Sequence, residues 1–402
     1  MSDPSTGPSG LREAARIALL LSGNLLGGLV TVPLAPALPA MARDLGRGYD
    51  GALIAQLVMA VPGILIVVGG LLAAPLVAMF GKRRILQAGF VVYTLSGLAG
   101  LVAPDIPTMF AARIVVGLAS GIVGSVAVSL IADFYEGAGR ARMLGFATAL
   151  GTLTASAGLF IGGFLVEQVG WRGPFLLYVL AFPPLLLVAG VVPAEAVGRA
   201  RGRAPLPFAE LLSCWHLYLA LLFCTTLVFA KTTQGPFLLA ALGVTNAALQ
   251  GSILSVGLLL GAAAAASVFL VRRFLEPLAI LLLALAAMGL ALVGCGVVPP
   301  GIVPVAAMLL ALAFFGGFTV PMFKVLVLDR TPAAARTAAA GALTAMIYAA
   351  QFVNPLIIKP ASASFGLQGA FLALGLVVLA AVAGTAALLR LRGPAPAGRP
   401  VQ

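Results

Sequence analysis

Of this chain's 402 residues, 61% are hydrophobic and only 9% charged, a stock from which a soluble domain cannot cover its surface, so lipid is the solvent for most of it. The formal net charge of +12 does not make a nucleic-acid surface, because no basic segment outside the apolar stretches is large enough to grip a duplex. It reads instead as topology and attraction to anionic headgroups.

A polar start, Met1 to Gly10, leads into the first apolar stretch without a convincing cleavage site, which predicts a retained helix rather than a signal peptide. Apolar stretches near the roughly 20 residues that a helix needs to cross a hydrocarbon core then recur over 17–39, 50–78, 85–103, 107–132, 143–166, 173–192, 215–239, 247–271, 275–297, 302–326, 337–360 and 367–389. Basic residues test this count independently, because positive charge is retained on the cytoplasmic side. With the N-terminus inside, most of the 24 Lys and Arg fall in cytoplasmic segments, among them Arg12, Arg16, Lys82, Arg83, Arg84, Arg140, Arg142, Arg199, Arg201 and Arg203. The outer segments hold Arg43, Arg47, Arg172 and Lys359. An even number of spans, with both termini cytoplasmic, follows.

Self-similarity appears at an offset of 196 residues, which pairs Gly121 with Gly317, Asp133 with Asp329, Arg140 with Arg336, Gly145 with Gly341, Thr148 with Thr344 and Gly170 with Gly366. Glycine matches are cheap, but Asp133/Arg140 against Asp329/Arg336 at one offset is not. The predicted fold is therefore all-α, with two pseudo-symmetric six-helix bundles at 17–192 and 215–389. A cytoplasmic linker at 193–214 joins them, and cytoplasmic tails lie at 1–16 and 390–402. Cys214, Cys224 and Cys295 are an odd, scattered set with neither metal spacing nor a disulfide framework, and no metal or cofactor is expected.

Several motifs resemble those of the major facilitator superfamily. After the second span stands Phe80-Gly81-Lys82-Arg83-Arg84, similar to the basic end of that family's signature between helices two and three. The fourth carries Arg113-Ile114-Val115-Val116-Gly117, which resembles its Arg-x-x-x-Gly motif. The fifth carries Gly158-Leu159-Phe160-Ile161-Gly162-Gly163, similar to the Gly-Pro-x-x-Gly-Gly motif of its antiporters, followed by Gly170-Trp171-Arg172 and Pro174-Phe175. Two departures matter. The signature's usual Asp is Ala78, so the charge latch of relatives cannot form through it, and the antiporter Pro is Leu159, with Pro355 at the equivalent place in the second half. The resemblance implies a bacterial inner-membrane secondary transporter, and for Arg113 a role in coupling proton movement to substrate release.

Ionisable groups at membrane depth cost roughly 2.5–3.5 kcal/mol each, so each is a functional candidate. Three lie inside spans, Arg113, Lys231 and Lys324, all positive, and no Asp or Glu is placed deep in any span. Arg113 has Leu309 at its counterpart, so the fold alone does not demand it; the alternatives are capping of carbonyls on a neighbouring helix or snorkelling to the interface. Lys231 precedes Thr232, Thr233, Gln234, Gly235 and Pro236, and Pro236 loosens backbone hydrogen bonds where helices line a cavity. A lysine in a dry cavity exchanges protons near neutral pH, which arginine does not, so Lys231 is a candidate for binding an anionic or polar substrate or for gating a proton. Asp133 joins Arg113 and Lys231 as a coupling candidate. Lys324 lies nearer the cytoplasmic end, where snorkelling competes with a cavity role.

Thr344, Tyr348, Gln351 and Pro355 stand at helical spacing in the eleventh span, with Asn354 beside the last, and such a polar stripe meets protein or water rather than lipid. Asn24, Thr31 and Gln56 are further cavity candidates, with interhelical hydrogen bonding as the alternative for each. Phe314, Phe315, Phe318 and Met322 offer an apolar wall for a ligand or ordinary packing. His216, the one histidine, is either a pH sensor or an interfacial spectator.

The function expected is a secondary transporter, not an enzyme, working by alternating access and exporting a small organic molecule such as a drug, metabolite or siderophore in exchange for protons. Uptake or exchange of an organic anion is the alternative, favoured by three deep positive groups, and a non-transporting sensor is a further one. The expected partners are the solute, protons and anionic lipid, and a monomer is expected.

Overall fold

A computed structural model of the chain describes residues 8–46, 50–193, 213–332 and 335–391. The linker residues Arg199, Arg201, Arg203 and Glu210 and the last eleven residues of the sequence lie outside the described part, as does Arg47. Every regular element among the described residues is helical.

Ten stretches each cross once: Arg12–Leu45, Gly51–Phe80, Lys82–Val102, Ile106–Phe134, Gly137–Val169, Gly173–Val191, Trp215–Thr233, Ala247–Val271, Pro277–Val297 and Ile302–Leu328. An eleventh, Arg336–Leu391, holds two crossings, because Gly366 breaks it with φ 71° and ψ 170°. The predicted gap at 361–366 is thus a single non-helical residue rather than a loop. Twelve crossings bring Leu391 back to the face at which Pro8 enters, called here the termini face.

Among the described residues, span 6 changes from a 3-10 turn over Gly173–Ala181 to α-helix over Phe182–Val191, with Pro183 and Pro184 at the change, and spans 1, 7 and 10 are broken internally. Span 1 runs as helix to Leu29, tightens to a 3-10 turn over Val32–Ala37, and resumes as Leu38–Leu45, with Pro33 and Pro36 in the turn. Span 7 stops at Thr233 and restarts as Gly235–Ala241 with Pro236 in its first turn. Span 10 divides into Ile302–Gly316 and Thr319–Leu328.

The repeat is physical as well as textual. Gly170 and Gly366 share positive φ, 86° and 71°, at the ends of spans 5 and 11. Asp50 and Asn246, also 196 apart, each cap the next helix, accepting from Leu53 N at 3.1 Å and Leu249 N at 2.7 Å. Gly121 lies against the Ile66 carbonyl and Gly317 against that of Gly261, so spans 4 and 2 approach as spans 10 and 8 do. Arg140 Nε donates to the Tyr135 carbonyl at 3.1 Å, and Arg336 Nε donates to that of Thr331 at 3.4 Å. The arginine of the matched pair therefore does the same work in both halves.

The first bundle has one apolar core, centred on residues such as Phe90, Tyr93 and Tyr178. The second has two, one around Met288 and Leu309 and one around Tyr218 and Met322. The bundles meet along span 5 against span 8 and span 2 against span 11. Gly163 abuts the backbone of Ala247 and Gly251 abuts Leu159, a closeness any larger side chain prevents.

Candidate functional site

Proline placement leaves carbonyls in the first bundle without helical partners. Pro62 has no N–H, so the Val58 carbonyl four residues earlier loses its donor. In the broken part of span 1, Leu34 N turns to the Thr31 carbonyl at 3.3 Å and Val30 N to that of Gly27 at 3.5 Å, which frees the carbonyls of Val30 and Leu26. Arg113 fills this deficit. Only 1% exposed, it donates from Nε to Val58 O at 2.9 Å, from Nη2 to Val30 O and from Nη1 to the Tyr178 hydroxyl. Tyr178 in turn donates to Val30 O at 2.7 Å, and Tyr93 donates to Leu26 O at 2.9 Å. The guanidinium thus ties spans 1, 2 and 6 to span 4; it caps carbonyls and does not snorkel. Neither tyrosine was singled out from the sequence. The signal available was an arginine at membrane depth in a bundle whose spans 1 and 2 carry Pro33, Pro36 and Pro62.

Lys82 pairs with Asp133, joining the turn after span 2 to the end of span 4. A charge latch therefore exists although Ala78 replaces the family's Asp. Its bend is made by Gly81 at φ 82°, the single residue between spans 2 and 3. Arg83 is half-buried and Arg84 exposed. In the second half Leu278 stands where Lys82 has its counterpart, so Asp329 has no such partner.

The polar residues of spans 2, 7 and 11 converge between the bundles. Gln56 Nε2 donates to Gln234 Oε1 and Gln234 Nε2 to Gln56 Oε1, both at 3.0 Å and both buried. The Thr233 hydroxyl donates to Asn354 Oδ1, and Asn354 Nδ2 donates to the Thr226 carbonyl at 2.7 Å. Seven residues beyond Gln56 on the same face of span 2, Gly63 lies against Tyr348 and Gln351. Gln351 is 1% exposed and its Nε2 has no partner. Lys231, one turn from Gln234 toward the termini face, is 8% exposed; its ammonium makes one long bond, 3.4 Å, to the Val228 carbonyl of its own helix. No Asp or Glu is buried among the described residues, so Lys231 has no protein counter-charge there.

Other candidates stand apart from this junction. Phe318 packs edge-on against Phe314 at 5.7 Å, within the second bundle's core beside Met322, rather than forming a ligand wall. Lys324 is exposed and joins no buried cluster. Asn24 is half-buried with its backbone against Gly151. His216 is exposed, edge-on to Trp215 at 6.2 Å. Gly158 and Gly162 abut Pro33 of span 1 and Gly117 abuts Pro62 of span 2, all packing contacts. Pro355 is buried within span 11, next to Asn354.

The cross-bundle side-chain links run from mid-membrane to the face opposite the termini. Besides the glutamine pair they are Ser156 with Ser255 at 2.7 Å, Glu167 Oε1 accepting from Ala247 N at 2.5 Å, and the ion pair of Asp50 with Lys359. The junction is therefore latched on that side. Of the charged residues in these links the sequence marks only Lys359, as an outer residue without a partner.

The sequence profile of the Major Facilitator Superfamily matches residues 20–355. A puromycin resistance protein of Streptomyces alboniger is 33% identical over 207 residues, 50% of this chain and 39% of that protein. A cephamycin export protein of Amycolatopsis lactamdurans is 30% identical over 206 residues, 50% of this chain and 41% of that protein. The chain thus spans less than half the length of these curated relatives. Among solved structures, the nucleoside transporter NupG superposes with a TM-score of 0.73 at 13% identity, covering 93% of this chain and 99% of that one. A bacterial homologue of the human lysosomal transporter Spinster, inward-facing and unoccupied, gives 0.70 at 14% identity, covering 98% and 100%.

Proposed function

The chain belongs to the Major Facilitator Superfamily, and on that footing we propose that it is a secondary active transporter that exports a small organic solute by alternating access, coupled to the proton-motive force, across the bacterial cytoplasmic membrane. The observation that carries this reading is the buried amide and lysine junction between spans 2, 7 and 11, latched on the face opposite the termini. Basic residues concentrated at the termini face support a cytoplasmic position for it. In that orientation the described state is closed outward, and rocking of one bundle against the other has to break the Gln56–Gln234 and Asp50–Lys359 links before the site meets the outside. The drug-resistance and antibiotic-export relatives support efflux as the direction.

Arg113 belongs to the frame of this machine, because each of its three nitrogens donates to the frame itself, to Val58 O, Val30 O and the Tyr178 hydroxyl. Lys231 belongs to its working interior, as a buried amine with unfilled donors. The test is flux in proteoliposomes under a pH gradient and a membrane potential imposed separately, for wild type and Lys231→Ala. Flux driven by either force in wild type and lost in the folded variant is expected. Wild type that responds to neither force, or a variant that transports normally, overturns the proposal. A second reading, uptake or exchange of an organic anion, draws on the missing counter-charge at Lys231 and is separated from efflux by the direction of flux in the same vesicles.

A further inference from the structure

Two buried donors in the inter-bundle junction lack acceptors. Lys231 carries three N–H groups and uses one, weakly, on Val228 O. Gln351 leaves Nε2 unpartnered while 1% exposed. The other amides near them are committed: Gln56 and Gln234 satisfy each other, and Asn354 is held by Thr233 and Thr226. Arg113, whose planar fork suits oxyanions, is consumed by backbone carbonyls and Tyr178. The deficit at the junction is thus of acceptors and of negative charge, and no buried carboxylate among the described residues supplies either. A buried ammonium without a counter-charge bears an uncompensated desolvation cost, which an entering anion removes. A cationic solute meets the opposite situation, repelled by Lys231 with no acid to hold it.

We infer that the solute carries a carboxylate that docks on the Lys231 ammonium, with the Gln351 amide as a second donor. This rests on the transport reading above and names its substrate class. Lys231 stands one turn from Gln234, which meets Gln56 of span 2, and Gln351 lies against Gly63, seven residues beyond Gln56 on that span. Rocking the bundles therefore carries the acid from one face to the other without breaking its contact to span 7. The lysine and its acid cross as a neutral pair.

The test uses purified full-length protein and acid/amide pairs of one shape: benzoate and benzamide, salicylate and salicylamide, cinnamate and cinnamamide. Binding is read by calorimetry and by the thermal unfolding midpoint. At least one carboxylate is expected to bind saturably and its amide about tenfold or more weakly, as loss of a charge-assisted contact requires. Lys231→Gln is expected to erase that preference while keeping the unfolding midpoint of the empty protein, and Lys231→Arg to retain it. Amides that bind as well as acids, a preference unchanged in Lys231→Gln, or no binding by any of the three acids overturns the inference. Counterflow of the bound acid in proteoliposomes separates the two readings. Binding without flux defeats the transport reading alone, and Lys231-independent flux of neutral or cationic solutes defeats the carboxylate site alone.

Discussion

Arg113 shows how a charged side chain is made stable in a lipid-soluble bundle without any acid. Its three nitrogens face one carbonyl freed by the break in span 1, one freed by Pro62 within span 2, and one tyrosine hydroxyl. Each acceptor left bare in a buried site costs about 1–3 kcal/mol. Lysine does not replace this arrangement, because one ammonium on a flexible stem does not span acceptors on spans 1, 2 and 6. Arg113→Met is therefore expected to lower the unfolding midpoint in detergent sharply. Adding Pro62→Ala returns a backbone N–H to Val58 O, so the double variant is expected to recover part of the loss, with a coupling of about 0.5–3 kcal/mol in the cycle. Strict additivity sinks the assignment of Val58 O as the reason Arg113 is there.

Asp50 works at the same scale. Burial raises its pKa, but hydrogen bonding and charge from Lys359 and the backbone N–H groups of Leu53 and Ala52 outweigh it, leaving the pKa below its ordinary 3.8. The sign follows: the ion pair is present above that range and is lost only as pH falls through the lowered value. Between pH 5 and 8 it is a fixed latch, not a proton sensor. Asp50→Asn preserves the helix cap, as Asn246 does in the second half, and removes only the charge. Because both partners are about a third exposed, the expected shift toward opening of the face opposite the termini is at most about 1 kcal/mol and fades with added salt. A large pH response of wild type across pH 5–8 that vanishes in Asp50→Asn contradicts this.

Among the elements, span identity was legible because apolar length and basic flanks survive any packing. The breaks inside spans were only partly so. Pro33 and Pro236 mark the faults in spans 1 and 7, but which side chains repair them depends on neighbours that no single-helix pattern contains. The last two spans show the converse: Gly366 reverses the chain in one residue, so the expected loop is absent. Likewise the Gly163 match reads as a generic small-residue motif in the sequence, while its partner, the Ala247 backbone on the opposite bundle, is a fact of assembly. Gly163→Val is expected to hold spans 5 and 8 apart and to increase thiol labelling of a cysteine placed at Ser252 from the face opposite the termini. Unchanged labelling in a folded variant removes that contact from the closure.

At the scale of the whole molecule, two repeats of one plan carry different chemistry: the first half invests its buried charge in Arg113, and the second leaves Lys231 unpaired at the junction. What joins them is a small set of links, of which the glutamine pair is the most buried. A buried hydrogen bond nets only about 0.5–1.5 kcal/mol, but an orphaned buried partner costs about 1–3 kcal/mol. Gln56→Leu leaves Gln234 bare in the closed state and free to be hydrated in the open one. It is therefore expected to shift the equilibrium toward the form open at the face opposite the termini by roughly five- to a hundredfold. Gln56→Leu with Gln234→Leu removes both polar groups, and the closed form is expected to return. Spin labels at Val102 and Val303, exposed residues on the same face of the two bundles, read the separation directly. A double variant that opens as far as the single one shows that the pair acts through something other than its mutual hydrogen bonds, and the latch assignment fails with it.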